Sequence, residues 1–305
     1  METVQPRVWF NIRRVVLVAV VAAVLAAAFF TASSLIGPGS APSTLQQDIK
    51  KMEAAALESP NDGGLRLALA ALYERAGQTE QALGQFQEVL VLDAENEDAL
   101  LGAALAHRKL GQSDQAVQAL VTIIAQNKDN PYAEVNRRLE AAHYYLGQIY
   151  REQGKLDEAI NELRTAIGLN RADADALYEL GLAFLAKGEN ADAASAFEVA
   201  LAYVPDFTEA YQALAQAARA NGDETKAKYA EAMMLVFGGK AKDGASQLEK
   251  IAPDSNDSRV WWGLGHAQEQ AGRPEEARQA YQKAVEINPG ERLAADALAR
   301  LEGSP

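Results

Sequence analysis

The chain has 305 residues, 49% of them hydrophobic, and a formal net charge of −13. It has no cysteine, which excludes disulfides, thiolate metal sites, cysteine nucleophiles and a lipidated N-terminal Cys. Residues 1–36 hold Arg7, Arg13 and Arg14 against Glu2, so the rest holds 26 basic and 41 acidic side chains, a net of −15. Such a surface repels phosphate backbones, and no nucleic-acid partner is expected.

Residues 1–14 form a basic N-terminus. Residues 15–36, "VVLVAVVAAVLAAAFFTASSLI", carry no charge. At ~1.5 Å rise per residue they span ~33 Å, enough for the hydrocarbon core of a bilayer. The sequence therefore predicts one transmembrane helix, with the lipid bilayer as a partner through residues 15–36. Arg13 and Arg14 mark its N-terminal end. The positive-inside rule then places residues 1–14 in the cytoplasm and the remainder outside it, as a single-pass protein of the cytoplasmic membrane. The alternative is a signal peptide cleaved near Ala32-Ser33-Ser34, giving a secreted chain. "GPGSAPS", 37–43, reads as a short Gly/Pro/Ser tether. "TLQQDIKKMEAAALE", 44–58, ends before Pro60 and reads as a lone helix capping the helical array from residue 60 onward.

Over that array one ladder of small and large residues recurs. In 261–289 it runs Trp261, Leu264-Gly265, Gln268, Gly272, Ala277, Tyr281, Ala284, Pro289. In 177–205 it runs Leu177, Leu180-Gly181, Phe184, Gly188, Ala193, Phe197, Ala200, Pro205. Copies recur at 143–166, 69–89 and 100–123, and Gly77 to Gly111, Gly154 to Gly188 and Gly188 to Gly222 are each 34 residues apart. This ladder resembles the tetratricopeptide repeat family over about 60–302, and the N-terminal segment makes it similar to the membrane-anchored bacterial type. The resemblance implies an all-α fold: a right-handed superhelical solenoid of helix–turn–helix repeats, here preceded by one transmembrane helix. The repeats fall at about 63–96, 97–130, 131–173, 174–207, 208–241, an overlapping 225–257, and 258–291, with a cap at 292–302. Together they make one repeat domain, 44–305.

Each unit is two antiparallel helices. Gly147, Gly181 and Gly265 let a partner helix approach, and the glycines at the hinges suit positive φ. Two spacings depart from the period. Gly111 to Gly154 is 43 residues, and the extra "PYAEVNRRL" keeps helical spacing, which predicts a single long first helix from Pro131 to Gln153. Gly222 to Gly272 is 50 residues, room for one helix more than a pair. Residues 224–237 then serve as second helix of one unit and first helix of the next, with a break in regularity near Phe237–Gly244.

No catalytic constellation is found, so no enzyme, cofactor or metal is expected. His107 and His143 fall on ladder positions, and no two of the three histidines share a helix turn. "GLGHAQ" mimics half a dinucleotide fingerprint but lies within a helix. Asn256-Asp257-Ser258, formally a glycosylation sequon, reads as a helix-start turn.

In the resembling family the concave face is lined by first helices and binds protein or peptide. The resemblance places Leu67, Ala71, Leu101, Leu105, Arg108, Tyr144, Tyr145, Gln148, Arg151, Tyr178, Leu182, Leu185, Gln212, Gln216, Trp262 and His266 there. Aromatic and Arg anchors beside Gln suit an extended peptide. The expected function is a non-enzymatic, membrane-tethered scaffold that binds another protein or peptide outside the cytoplasm, for assembly or chaperoning of secreted or membrane-complex proteins. Single-anchor chains of this layout resemble ancillary subunits of translocation or cytochrome c maturation. The alternative is a permanent structural subunit of a larger membrane protein complex.

Overall fold

Seven hinge glycines, Gly77, Gly111, Gly154, Gly188, Gly222, Gly239 and Gly272, have φ between +73° and +83°. This is the left-handed region that a Cβ resists, and it turns each helix back on the one before. Around these hinges the structure, a computed structural model that describes residues 41–303, forms fifteen α-helices and, among the described residues, no strand. The basic N-terminus, the expected transmembrane helix at 15–36 and tether residues 37–40 lie outside the described residues. Among the described residues no helix is long and apolar enough to cross a membrane.

The chain divides between Ala99 and Leu100 into two compact units. The first holds α1 (Ala41–Glu58), α2 (Gly63–Arg75) and α3 (Thr79–Leu92), and ends inside α4 (Glu97–Lys109). The second continues with α5 (Ser113–Gln126), α6 (Arg137–Glu152), α7 (Leu156–Leu169), α8 (Ala174–Lys187) and α9 (Asn190–Tyr203). It is completed by α10 (Thr208–Ala220), α11 (Glu224–Phe237), α12 (Ala241–Ile251), α13 (Ser258–Gln270), α14 (Pro274–Ile287) and α15 (Arg292–Glu302). The tether is shorter than the sequence suggested, because Ala41–Ser43 already belong to α1. Pro42 falls in the first turn, where a missing N–H costs no helical hydrogen bond.

Helices pack on their chain neighbours: α2 on α3, α6 on α7, α8 on α9, α13 on α14. The ninth residue after six of the seven hinge glycines is the chief plug of its hairpin. Phe86, Leu120, Leu163, Phe197, Leu248 and Tyr281 hold this position, and all are at most 5% exposed. Burying each such side chain is worth about 1.5–3 kcal/mol. The first helix offers a small residue opposite. A Cβ added at Gly181 would stand 2.4 Å from Cε1 of Phe197, and one at Gly265 would stand 2.6 Å from Cδ1 of Tyr281.

The long first helix expected over Pro131–Gln153 is not continuous. A 3₁₀ turn at Ala133–Val135 precedes it, and α6 starts only at Arg137. Asparagines decide this. Asn136 caps α6, its side-chain oxygen accepting from the N–H of Arg138 and Leu139. Its Nδ2 donates to Asn127 Oδ1 at 2.9 Å, and Asn130 Nδ2 donates to the same oxygen at 2.8 Å. Asn127, itself buried, donates to the Ile123 carbonyl at 3.0 Å. A side-chain cap of this kind competes with continued helix. Tyr132 and Val135, which the helical spacing assigned to a packed face, are 73% and 78% exposed.

Three helices, α10, α11 and α12, occupy 208–251. α11 packs against α10, α12 and α13. It follows α10 across Gly222, as second helices do. It also ends, as first helices do, at a positive-φ glycine, Gly239.

Candidate partner-binding face

The second unit brings six of the expected face residues together. Arg108 on α4 donates from Nη1 to Gln148 Oε1 on α6 at 2.7 Å. Gln148 Nε2 donates to the Tyr144 hydroxyl oxygen at 2.9 Å and to Glu179 Oε1 on α8 at 2.7 Å. Arg151 Nε donates to Glu179 Oε2 at 2.8 Å. Tyr144 and Tyr145 meet edge to face at 5.0 Å, and the Arg108 guanidinium lies over the Tyr145 ring at 5.8 Å. Tyr178 packs on Phe197 and Phe207. Burial, and then the Glu179 charge, push the Tyr144 phenol far above its ordinary value. It therefore stays neutral and available as a hydrogen-bonding hydroxyl.

Glu179 organises this cluster, and sequence reasoning passed over it because a charge on a helix reads as solvated. Its carboxylate is instead buried and held between Gln148 and Arg151. Both N–H groups and the carbonyl of Gln148 are consequently engaged inside the protein, which leaves little capacity for a partner. Leu101, Leu105, Leu182 and Leu185 are half-buried. In the first unit Leu67 is half-buried and Ala71 exposed.

Trp262 is not on an open face. It is 6% exposed, and His266 stacks on it at 5.5 Å while also meeting Phe237 at 5.3 Å. The cause is the double role of α11. Its face toward α13 is so close that a Cβ at Gly263 would stand 2.8 Å from Met233 Sδ and 2.9 Å from Tyr229 Cε2. Ion pairs fasten the same side. Glu198 on α9 takes Lys226 of α11 at 2.7 Å and also Arg259 of α13. The side chains that the ladder would leave facing solvent on α13 are covered by α11.

Gln212 and Gln216 lie elsewhere, in a cleft of about 1070 Å³ bounded by α10, α11 and α12. Ala215 and Arg219 of α10, Glu231, Met234 and Leu235 of α11, and Gln247 of α12 complete its lining. Arg219 and Glu231 form an ion pair across it. Among the described residues no hydrogen bond is made by the side chains of Gln212, Gln216 or Gln247. The other two histidines are tied inside their own hairpins, His107 Nδ1–H to Gln112 and His143 Nδ1–H to Glu162, each at 2.6 Å. Among the described residues no three His, Asp or Glu side chains are placed to hold a metal.

The hairpins, their hinge glycines and the small residues opposite each plug match four family models described as TPR repeat or tetratricopeptide repeat, at residues 75–139, 147–188, 178–233 and 258–291. The chain belongs to the tetratricopeptide repeat family. Solved structures agree on the fold. The MamA protein crystal structure superposes with a TM-score of 0.52 at 24% identity, over 59% of this chain and 94% of that one. The C-terminal part of a TPR repeat-containing protein from Cytophaga hutchinsonii gives 0.53 at 16% identity, over 84% and 95%. A tetratricopeptide repeat protein from Parabacteroides merdae gives 0.50 at 16%, over 86% and 94%. Over 154 residues, 50% of the chain, the sequence is 29% identical to protein O-mannosyl-transferase TMTC1 of Homo sapiens. The match spans only 17% of that protein's length.

Proposed function

We propose that the protein is a non-enzymatic scaffold that holds another protein or a peptide against the cleft of α10, α11 and α12. The observation that carries this is a large open cleft lined by the exposed amide side chains of Gln212, Gln216 and Gln247, which make no hydrogen bond to other side chains or backbone among the described residues. A buried partner would satisfy these groups and displace water from Met234 and Leu235. In this reading residues 15–36 tether the scaffold to the cytoplasmic membrane, and the repeats lie outside the cytoplasm, where they serve assembly or chaperoning of secreted or membrane-complex proteins. Affinity purification of the full chain from membranes in gentle detergent tests the reading. A partner recovered with wild-type protein and lost with the double variant Gln212→Ala/Gln216→Ala is expected. A stoichiometric set of subunits, retained by the variant, would favour a permanent structural subunit instead.

A further inference from the structure

The cleft is a gap in the repeat's own packing. In six hairpins the ninth residue after the hinge glycine is Phe, Leu or Tyr, buried against a small residue of the first helix. In the hairpin of α10 and α11, which turns at Gly222, the ninth residue is Glu231. Its side chain is 41% exposed and pairs with Arg219 across the cleft. The small residue opposite is still present: Ala215, seven before its glycine, as Gly147, Gly181 and Gly265 are seven before theirs. Ala215 is among the residues lining the cleft, with 5% of its surface exposed. Twelve residues after the hinge, where Val89, Ile123, Ala166, Ala200 and Ala284 are buried and Ile251 is half-buried, Met234 is half-buried and faces the same cleft. This hairpin therefore has the socket of its neighbours without the plug.

We propose that the partner supplies the plug: an extended, uncharged peptide segment that inserts one Phe, Leu or Tyr side chain between Ala215, Met234 and Leu235. The inference rests on the scaffold reading above and names the chemistry its partner must carry. Arg219 and Glu231 neutralise one another, so the lining offers no net charge to attract a charged side chain, and burying one unpaired would be costly. The free amides of Gln212, Gln216 and Gln247 donate and accept together, which suits the N–H and C=O groups of an extended backbone on either side of the inserted ring. One large apolar side chain in a desolvated socket, surrounded by weaker polar contacts, is the usual anatomy of a binding hot spot.

A random phage-displayed peptide library, panned on the full chain in mild detergent, tests this. The selected peptides should share a Phe, Leu or Tyr among uncharged neighbours. Glu231→Phe, which restores the plug, should weaken their binding at least about ten-fold while raising the melting temperature by about 2–6 °C. Gln212→Ala/Gln216→Ala, at exposed positions, should weaken binding with no change in melting temperature, which keeps the test open if Glu231→Phe misfolds. Charged consensus peptides, no selected peptide at all, or binding indifferent to both variants would overturn the inference. If binding instead depends on Tyr145 and Arg108, the protein still binds a partner, but both the socket and the cleft as its site are overturned. A dimer of the chain that Glu231→Phe returns to monomer would make the occupant a second copy and overturn the peptide.

Discussion

Glu179 shows how a single residue can convert an expected binding surface into internal structure. Its carboxylate accepts from Gln148 and Arg151 while almost fully buried. Glu179→Ala should strand both partners and lower stability by about 2–4 kcal/mol, measured by denaturant unfolding, with Glu179→Gln recovering part of the loss. A loss no larger than that of an exposed substitution would mean that the network carries no weight. His266 makes a pH-dependent prediction. Burial, with Arg300 adding to it and Glu269 opposing, holds its pKa below the ordinary imidazole value. The unfolded chain therefore binds the proton first as pH falls below about 6.5, and the stability present above that pH is lost through the window beneath it. The melting temperature should fall between about pH 7 and pH 5, and fall less in His266→Phe. The same fall in both proteins would contradict this. At this scale the sequence was partly legible. Tyr144, Gln148 and Arg151 were found as neighbours on one helix, but their bonding to α8 depends on a tertiary contact that no periodicity reveals.

Among elements, the hairpins were the most legible feature, since hinge glycines and plugs repeat at fixed distances. The failure at 131–136 has a specific source: helical spacing through Tyr132, Val135 and Leu139 survives in the sequence, while three asparagines redirect the backbone. Removing the shared acceptor with Asn127→Ala should cost about 1–3 kcal/mol and raise hydrogen exchange at residues 127–137 above that elsewhere in α5 and α6. Unchanged exchange there would show that the 3₁₀ turn does not depend on the asparagines. The double role of α11 was readable from the 50-residue interval between Gly222 and Gly272. Its consequence for Trp262 was not. A residue counted onto the open face of α13 is covered because α11, two helices earlier, already faces α13. The substitution of Glu231 for a plug was in plain view in the ladder, as the one charged residue at a position otherwise Phe, Leu or Tyr.

For the whole molecule, the charge of −15 outside residues 1–36 and the basic flank of residues 15–36 bear on location. A periplasm-active reporter fused after Pro305 should be active, and a cytoplasm-active one silent, if the tether runs as proposed. The reverse pattern would contradict the topology. The central claim is that partners are held at the cleft of α10, α11 and α12. A photo-crosslinking amino acid placed at Gln216 in the full chain, in living cells, tests it most directly, with the same residue at Val199, exposed on α9, as control. The account predicts a discrete crosslinked protein from position 216, absent from position 199 and lost when Glu231→Phe fills the socket. Equal crosslinking at both positions, or none at 216, would contradict it.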